Sequence, residues 1–377
     1  MRVARLLTRP NLGGPTKQAV ALWHAHRAQG VETLLVCGVC APDEASVDLE
    51  AAGLPRLDPE SVRRGRSGFI QLPDLARRVS PLRDLAAVRA ARRILDAWQP
   101  DVVHTHTSQA GIVGCMAART PLVHTFHGLV VRDYAGRVAS SLATRAERWA
   151  GRRRDVAVAV SHSCRRELAE LGIARGVEVV PPAVPVDPER GALTAQPGRR
   201  AGHPSIGFVG RLVSIKRPEW FVDLASAFPE VDAYVLGGGP LEPALRRVAP
   251  PNLHFLGTIH GVLPALAALD LLVLPSRREG FPVVAVEAAS LGVPTLGFTV
   301  PGLTDLAAYE GLATLVPAAA GFDGLADGLQ RFLDAPFRAE GPGAARLVAD
   351  CDPQRVATQL SSIYARCVKT CESAVMP

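Results

Sequence analysis

The chain has 377 residues, 48% apolar and 21% charged, a balance that excludes a disordered or fibrous protein and leaves room for two hydrophobic cores. Its net charge of +6 is uneven: residues 1–190 hold 27 Lys and Arg against 19 Asp and Glu, whereas residues 191–377 hold 15 against 17. No apolar run reaches the roughly 18–20 residues that span a bilayer, and residues 1–15 lack an apolar segment followed by a cleavage site, so a cytoplasmic protein is expected.

Short apolar runs alternate with helical stretches, the pattern of parallel sheets with right-handed crossovers. Residues 3–7 form the first expected strand. Gly13-Gly14 follows on its loop, either as a tight turn or as backbone that can approach a ligand closely. Residues 18–28 read as a helix with Val20, Leu22 and Trp23 on its apolar face. The expected strand at 33–39 contains Cys37-Gly38-Val39-Cys40, which has redox or zinc spacing. No second pair or nearby His completes a site, so buried, reduced thiols are expected. Further strands are expected at 102–105, 121–125 and 156–160, with a helix at 140–151.

Four histidines cluster at two of these strand ends, His104 and His106 on one, His124 and His127 on the next. No acidic ligand is adjacent to suggest a metal, so His104 and His124 are read as structural. His106 stays open between core and cleft. Residues 187–204 are polar and rich in Gly and Pro, as suits a linker. A second alternating series then gives strands at 206–209, 233–236, 254–256, 271–274 and 295–298. Residues 353–370 form an amphipathic helix with Val356, Leu360, Ile363 and Tyr364 on one face.

The densest chemistry is Pro275-Ser276-Arg277-Arg278-Glu279-Gly280-Phe281-Pro282, continuing to Glu287. An apolar strand precedes it, and Pro282 suits the first position of a helix that Gly292 and Pro294 can end. Glu279 therefore sits on a loop at the carboxyl end of a strand, where open α/β sheets bind ligands. Between Phe281 and Leu303 the sole ionisable side chain is Glu287. A carboxylate in so apolar a stretch needs a hydrogen-bonding partner, which a ribose diol or sugar hydroxyl can supply.

This block resembles the Glu-x7-Glu signature of family 4 retaining glycosyltransferases. Other pieces follow the same family's order. They are Gly13-Gly14, Thr125-Phe126-His127-Gly128-Leu129, Gly207-Phe208-Val209-Gly210-Arg211-Leu212 with Lys216, Leu236-Gly237-Gly238-Gly239-Pro240-Leu241, and Asn252-Leu253-His254-Phe255-Leu256-Gly257. The resemblance implies two Rossmann-like domains (GT-B) facing each other across a cleft, with a C-terminal helix crossing back to the first domain. The implied boundaries are 1–186, a linker at 187–204, 205–352, and a final helix at 353–377. The chain departs from the family at Val180-Pro181-Pro182-Ala183-Val184 and at Pro301-Gly302, and Asp305 is given no role.

By that resemblance the reaction transfers a hexose from a nucleoside-diphosphate sugar, a UDP-sugar first among them, to a glycan, lipid-linked or small-molecule acceptor. Glu279 would take hydrogen bonds from the donor sugar and Glu287 from the ribose. Arg211 and Lys216 would meet the diphosphate, unless they are ordinary surface cations. Gly280, Phe281 and Pro282 would bring backbone amides to the donor. Gly13 and Gly14 would admit it from the first domain, and His127 would touch the reacting sugar. Asp350-Cys351-Asp352 has the Asp-x-Asp spacing of metal-bound nucleotide sugars, but its place before Pro353 favours helix capping by Asp352. No cofactor or essential metal is expected.

Arg63, Arg64, Arg66, Arg77, Arg78 and Arg83 either meet anionic headgroups at the inner leaflet or form a solvated surface. Nucleic-acid binding draws little support from a basic domain with 5% aromatics. The alternatives within the fold are an epimerase or a sugar phosphorylase. A nicotinamide-dependent oxidoreductase fits less well, because the Gly237-Gly238-Gly239 run lacks the third glycine of a dinucleotide loop. The intact acidic and cationic set argues against a non-catalytic sugar-binding protein.

Overall fold

The computed structural model describes residues 1–41, 44–77, 79–129, 137–186, 198–259 and 261–375. Arg78, residues 187–197 of the expected linker and residues 376–377 lie outside them. The chain divides into two compact units, Met1–Pro185 with Cys351–Pro377, and Val186–Asp350.

The first unit holds a parallel sheet of β1 (Arg2–Leu7), β2 (Glu32–Cys37), β3 (Gly68–Gln71), β4 (Val102–His106), β5 (Leu122–Phe126), β6 (Val156–Ala159) and β7 (Glu178–Val179). Their order across the sheet is β3-β2-β1-β4-β5-β6-β7. The crossovers run through α1 (Gly14–Ala28), α2 (Pro59–Arg63), α3 (Pro81–Trp98), α4 (Ser108–Ala117) and α5 (Arg137–Gly151), with α6 (His162–Glu170) after β6. Side chains alternate between the two faces of each strand. Ala4, Leu6, Val36 and Val103 pack on one face against Val88, Leu95 and Val113 of α3 and α4. Val3, Val102 and Val123 pack on the other against Leu22 of α1 and against Val356, Leu360 and Ile363.

Those last three belong to the C-terminal helix, Pro353–Val375, which the first unit therefore claims. Burying each such side chain contributes roughly 1.5–3 kcal/mol. Asp352 starts this helix, its Oδ1 accepting the N–H groups of Gln354 and Arg355 at 2.9 Å each. The Asp-x-Asp spacing is thus a cap.

The second unit holds β8 (Ser205–Val209), β9 (Asp232–Leu236), β10 (Leu253–Gly257), β11 (Leu271–Leu274), β12 (Thr295–Phe298) and β13 (Ala313–Val316), in the order β10-β9-β8-β11-β12-β13 and all parallel. Its helices are α7 (Pro218–Ala227), α8 (Glu242–Arg247), α9 (Leu263–Ala267), α10 (Val283–Ala289), α11 (Gly321–Asp334) and α12 (Pro342–Asp350).

Some elements differ from expectation. The first helix starts at Gly14 rather than residue 18, because Pro15 is tolerated in a first turn, where no N–H is needed. Pro282 stands one place before α10 rather than at its first position. Strands β3, β7 and β13 carry no strong apolar pattern and were not expected from the sequence.

Candidate active site

In each sheet the strand order reverses once, between β1 and β4 and between β8 and β11. Open α/β sheets bind ligands beyond the carboxyl ends of strands at such a point. In the second unit, the loop after β8 carries Arg211 and a 3-10 turn, Ser214–Lys216, and the loop after β11 carries Glu279. The Arg277 N–H bonds the Ile215 carbonyl at 2.9 Å and ties these two loops together.

Lys216 Nζ then lies 2.5 Å from both carboxylate oxygens of Glu279, and Ser276 Oγ donates to Oε1 at 2.7 Å. The Glu279 side chain is only 9% exposed, so the charge is held in place rather than solvated. Behind it, the Glu279 N–H bonds the Pro301 carbonyl at 2.9 Å. Gly302 is needed there: its φ is +83°, and a Cβ would come 2.4 Å from the Glu279 carbonyl oxygen.

Two of the expected residues behave differently from the simplest reading. Lys216 is engaged by Glu279 rather than standing free. Glu287 on α10 is 6% exposed and is not without a partner. Arg211 is exposed on the β8 loop and has no ion pair among the described residues. Gly280 and Phe281 are half-buried and Pro282 is buried, all on the short link from Glu279 into α10. The glycine run after β9 has its own explanation. A Cβ on Gly237 would sit 2.0 Å from the Gly210 carbonyl oxygen, so the glycines let two loops touch, with no dinucleotide required.

In the first unit, Gly13 precedes α1 in extended backbone, φ −161°, and a Cβ there would meet only Asn11 side-chain atoms, at 3.7 Å and beyond. The fold therefore does not demand glycine at 13, and Gly14 is already helical. At the other side of the reversal, Thr107 has φ 72°, ψ 151°, a conformation that costs a non-glycine residue of order 1–3 kcal/mol. Thr8 holds it, Oγ1 to Oγ1 at 2.6 Å, and also caps the Ala110 N–H at 3.1 Å.

The four histidines are arranged in two ways. His104 and His124 are buried core groups: His104 Nδ1 meets Tyr364 Oη at 2.6 Å and Nε2 meets Thr125 Oγ1 at 2.7 Å, while His124 Nδ1 meets Thr105 Oγ1 at 2.7 Å. His106 and His127 meet each other, Nδ1 to Nε2 at 3.0 Å, and only His127 is partly exposed. Burial pushes all four well below the ordinary imidazole range, so the rings are neutral. Among the described residues no group of three or more His, Cys, Asp or Glu can hold a metal ion. Burial raises the Cys37 thiol to about 12, which makes it inert at neutral pH.

Sequence reasoning missed Ser276, whose signal was a lone polar residue closing an apolar strand three places before Glu279. It also missed Thr107 and the buried Arg5, for which the sequence offered no signal. Arg5 is fully buried, with Thr33 Oγ1 at 2.5 Å, His26 Nδ1 at 2.7 Å and Tyr364 as a further partner.

Two family profiles match the chain, one described as Glycosyltransferase Family 4 over residues 12–188 and one as Glycosyl transferases group 1 over residues 203–335. The chain is 31% identical over 343 residues to the 2-deoxystreptamine glucosyltransferase of Streptomyces kanamyceticus, covering 79% of this chain and 87% of that protein. It is 31% identical over 248 residues to the D-inositol 3-phosphate glycosyltransferase of Xylanimonas cellulosilytica, 57% of this chain and 59% of that relative, and so spans under two thirds of the latter's length. Sucrose-phosphate synthase from Thermosynechococcus elongatus superposes with a TM-score of 0.80 at 20% identity, over 97% of this chain and 98% of that one. HepE of Anabaena, in complex with UDP and glucose, gives 0.74 at 18%, over 97% and 99%. At these identities the structural likeness carries the fold alone.

Proposed function

The chain belongs to glycosyltransferase family 4, with the GT-B fold of two Rossmann-like units, and from that premise we propose that it transfers a hexose from a nucleoside-diphosphate sugar with retention at the anomeric carbon. One observation carries the reading: Lys216, Glu279 and Ser276 are assembled at the strand-order reversal of the second sheet. A cation beside a largely buried carboxylate suits a ligand with a diphosphate at one end and hydroxyls at the other. The diphosphate shares Lys216 with Glu279 and takes Arg211, each charge-assisted bond contributing roughly 1.5–3 kcal/mol. Glu279 then accepts from sugar hydroxyls, and Glu287 serves the ribose. That HepE was solved with UDP and glucose supports a UDP-sugar donor.

The chemistry proposed is a front-face displacement. The anomeric carbon–phosphate oxygen bond breaks, the acceptor oxygen bonds to the same face, and its proton passes to the departing phosphate. Lys216 and Arg211 stabilise the charge on the leaving nucleoside diphosphate, so no metal is invoked. The names of the two relatives, acting on 2-deoxystreptamine and D-inositol 3-phosphate, support a small polar acceptor. A glycan or lipid-linked acceptor keeps its support from the basic first unit. There Leu82 is 84% and Leu142 is 60% exposed, among the exposed Arg83, Arg89, Arg145 and Arg148. Flotation on anionic vesicles at low salt tests that surface, and absence of binding removes it.

The decisive experiment pairs calorimetry with kinetics. UDP, GDP and ADP are titrated against the parent chain, Glu279→Gln and Glu287→Ala. Glu279→Gln loses turnover more than nucleotide affinity, and Glu287→Ala loses affinity. Two variants indistinguishable from the parent would remove this site. Product analysis with and without acceptor separates transfer from epimerisation and phosphorolysis.

A further inference from the structure

His106 has a geometry that the reading above does not use. It is wholly buried on β4, its ring 4.3 Å from that of His104 and 5.3 Å from that of His127. His104 offers it only a ring face, since both His104 nitrogens are taken by Tyr364 and Thr125. Among the described residues, the one hydrogen bond of the His106 side chain runs between its Nδ1 and His127 Nε2, at 3.0 Å. Its own Nε2 is buried and finds no partner among the described residues.

Two neutral imidazoles at this separation must divide the roles, one supplying an N–H and the other a lone pair. If His127 donated, His106 would carry its proton on Nε2 and strand a buried N–H. If His106 donates, only a lone pair is stranded. Orphaned buried N–H groups are the rarer and costlier of the two. The second arrangement leaves the remaining His127 proton on Nδ1.

We propose that His106 is a positioning residue that fixes His127 as its Nδ1–H tautomer, so that the partly exposed ring at the end of β5 offers a hydrogen-bond donor. The group it meets is then an oxygen acceptor, a sugar hydroxyl or a phosphate oxygen, and not an acid proton to be removed. His104 backs the arrangement. Tyr364 Oη and Thr125 Oγ1 hold the two nitrogens of the His104 ring, which sits behind the His106 ring with 33° between their planes. The inference rests on the donor reading only for what His127 touches, not for how it is set.

Ring-nitrogen spectra of the full chain, labelled with nitrogen-15 histidine at pH 7, decide the proposal without any substrate. The expected pattern for His127 is a protonated Nδ1 and a bare Nε2; a protonated Nε2 overturns it. In His106→Leu the His127 signals shift toward the Nε2–H form that free histidine prefers, and hydrolysis of UDP-glucose falls about tenfold in kcat with little change in KM. His106→Asn, whose amide N–H can reach the same nitrogen, recovers most of that loss. Melting curves of both variants separate misfolding from mispositioning. Equal kcat in His106→Leu and the parent also overturns the proposal. A parent chain with no turnover of UDP-glucose counts against the donor reading, while the tautomer is still decided by the spectra.

Discussion

The two sheets share a topology but keep their polar groups in different places. In the first, Arg5, Thr33, His104, His106, His124 and Thr125 are buried along the strands themselves. In the second, the strand interiors are apolar, with Ile206, Phe208, Val235, Leu272, Leu274 and Leu296 buried, and the buried Ser205, Asp232 and Thr295 stand at strand starts. Its chemistry lies on loops. The second sheet is thus a scaffold whose function could change by loop substitution, while the first has built directional hydrogen bonds into its core. Such a network fixes a unique arrangement but is costly when any member is lost.

Acid gives the largest expected contrast. His26, His104, His106, His124 and His127 all have folded pKa values below the unfolded 6.5, with His26 near 3 because of burial and the nearby Arg5. The unfolded chain therefore binds more protons below that value. Their stabilisation is complete above about pH 6.5 and is lost as the pH falls toward the folded values, by up to about 1.4 kcal/mol per pH unit for each histidine. Hydrogen exchange at pH 5 should show β1, β4 and β5 losing protection before β8 and β11. Equal loss in both sheets would erase the contrast.

Lys216→Ala comes next, on the other side of the comparison. Turnover should fall about 10²–10³-fold, the scale for losing one preorganised charge contact, while the melting temperature barely moves. A collapse in stability would make the Lys216–Glu279 pair structural. Tyr364→Phe removes one hydroxyl from the first core and strands His104 Nδ1, so urea unfolding should report a cost of about 1–3 kcal/mol. Smallest of all, Asp352→Ala should cost about 1 kcal/mol through the lost cap, with no effect on nucleotide affinity.

This difference also sets what the sequence made legible. Strands such as β8 and β11 announce themselves as apolar runs, and Glu279, Lys216 and the glycines around them stand out on loops. The pairing of Lys216 with Glu279, across 63 positions, depends on which strands are neighbours, and no local pattern encodes that. Strand β7, two residues long, has no pattern to read. Tyr364 was visible as part of an apolar helix face, but its hydroxyl partner His104 lies 260 positions away. The positive φ of Thr107 has no signal in residue type at all, since a glycine would have been expected at such an angle.

The C-terminal helix has a consequence for how the chain is made. A ribosome releases all seven strands of the first sheet, and then the whole second unit, before Leu360 and Tyr364 emerge. Until then Arg5 lacks one partner, His104 lacks another, and the face carrying Val3, Val102 and Val123 is covered by α1 without the C-terminal helix beside it. The second unit, which ends at Asp350, can close first, so nascent chains should mature in reverse of their order of synthesis.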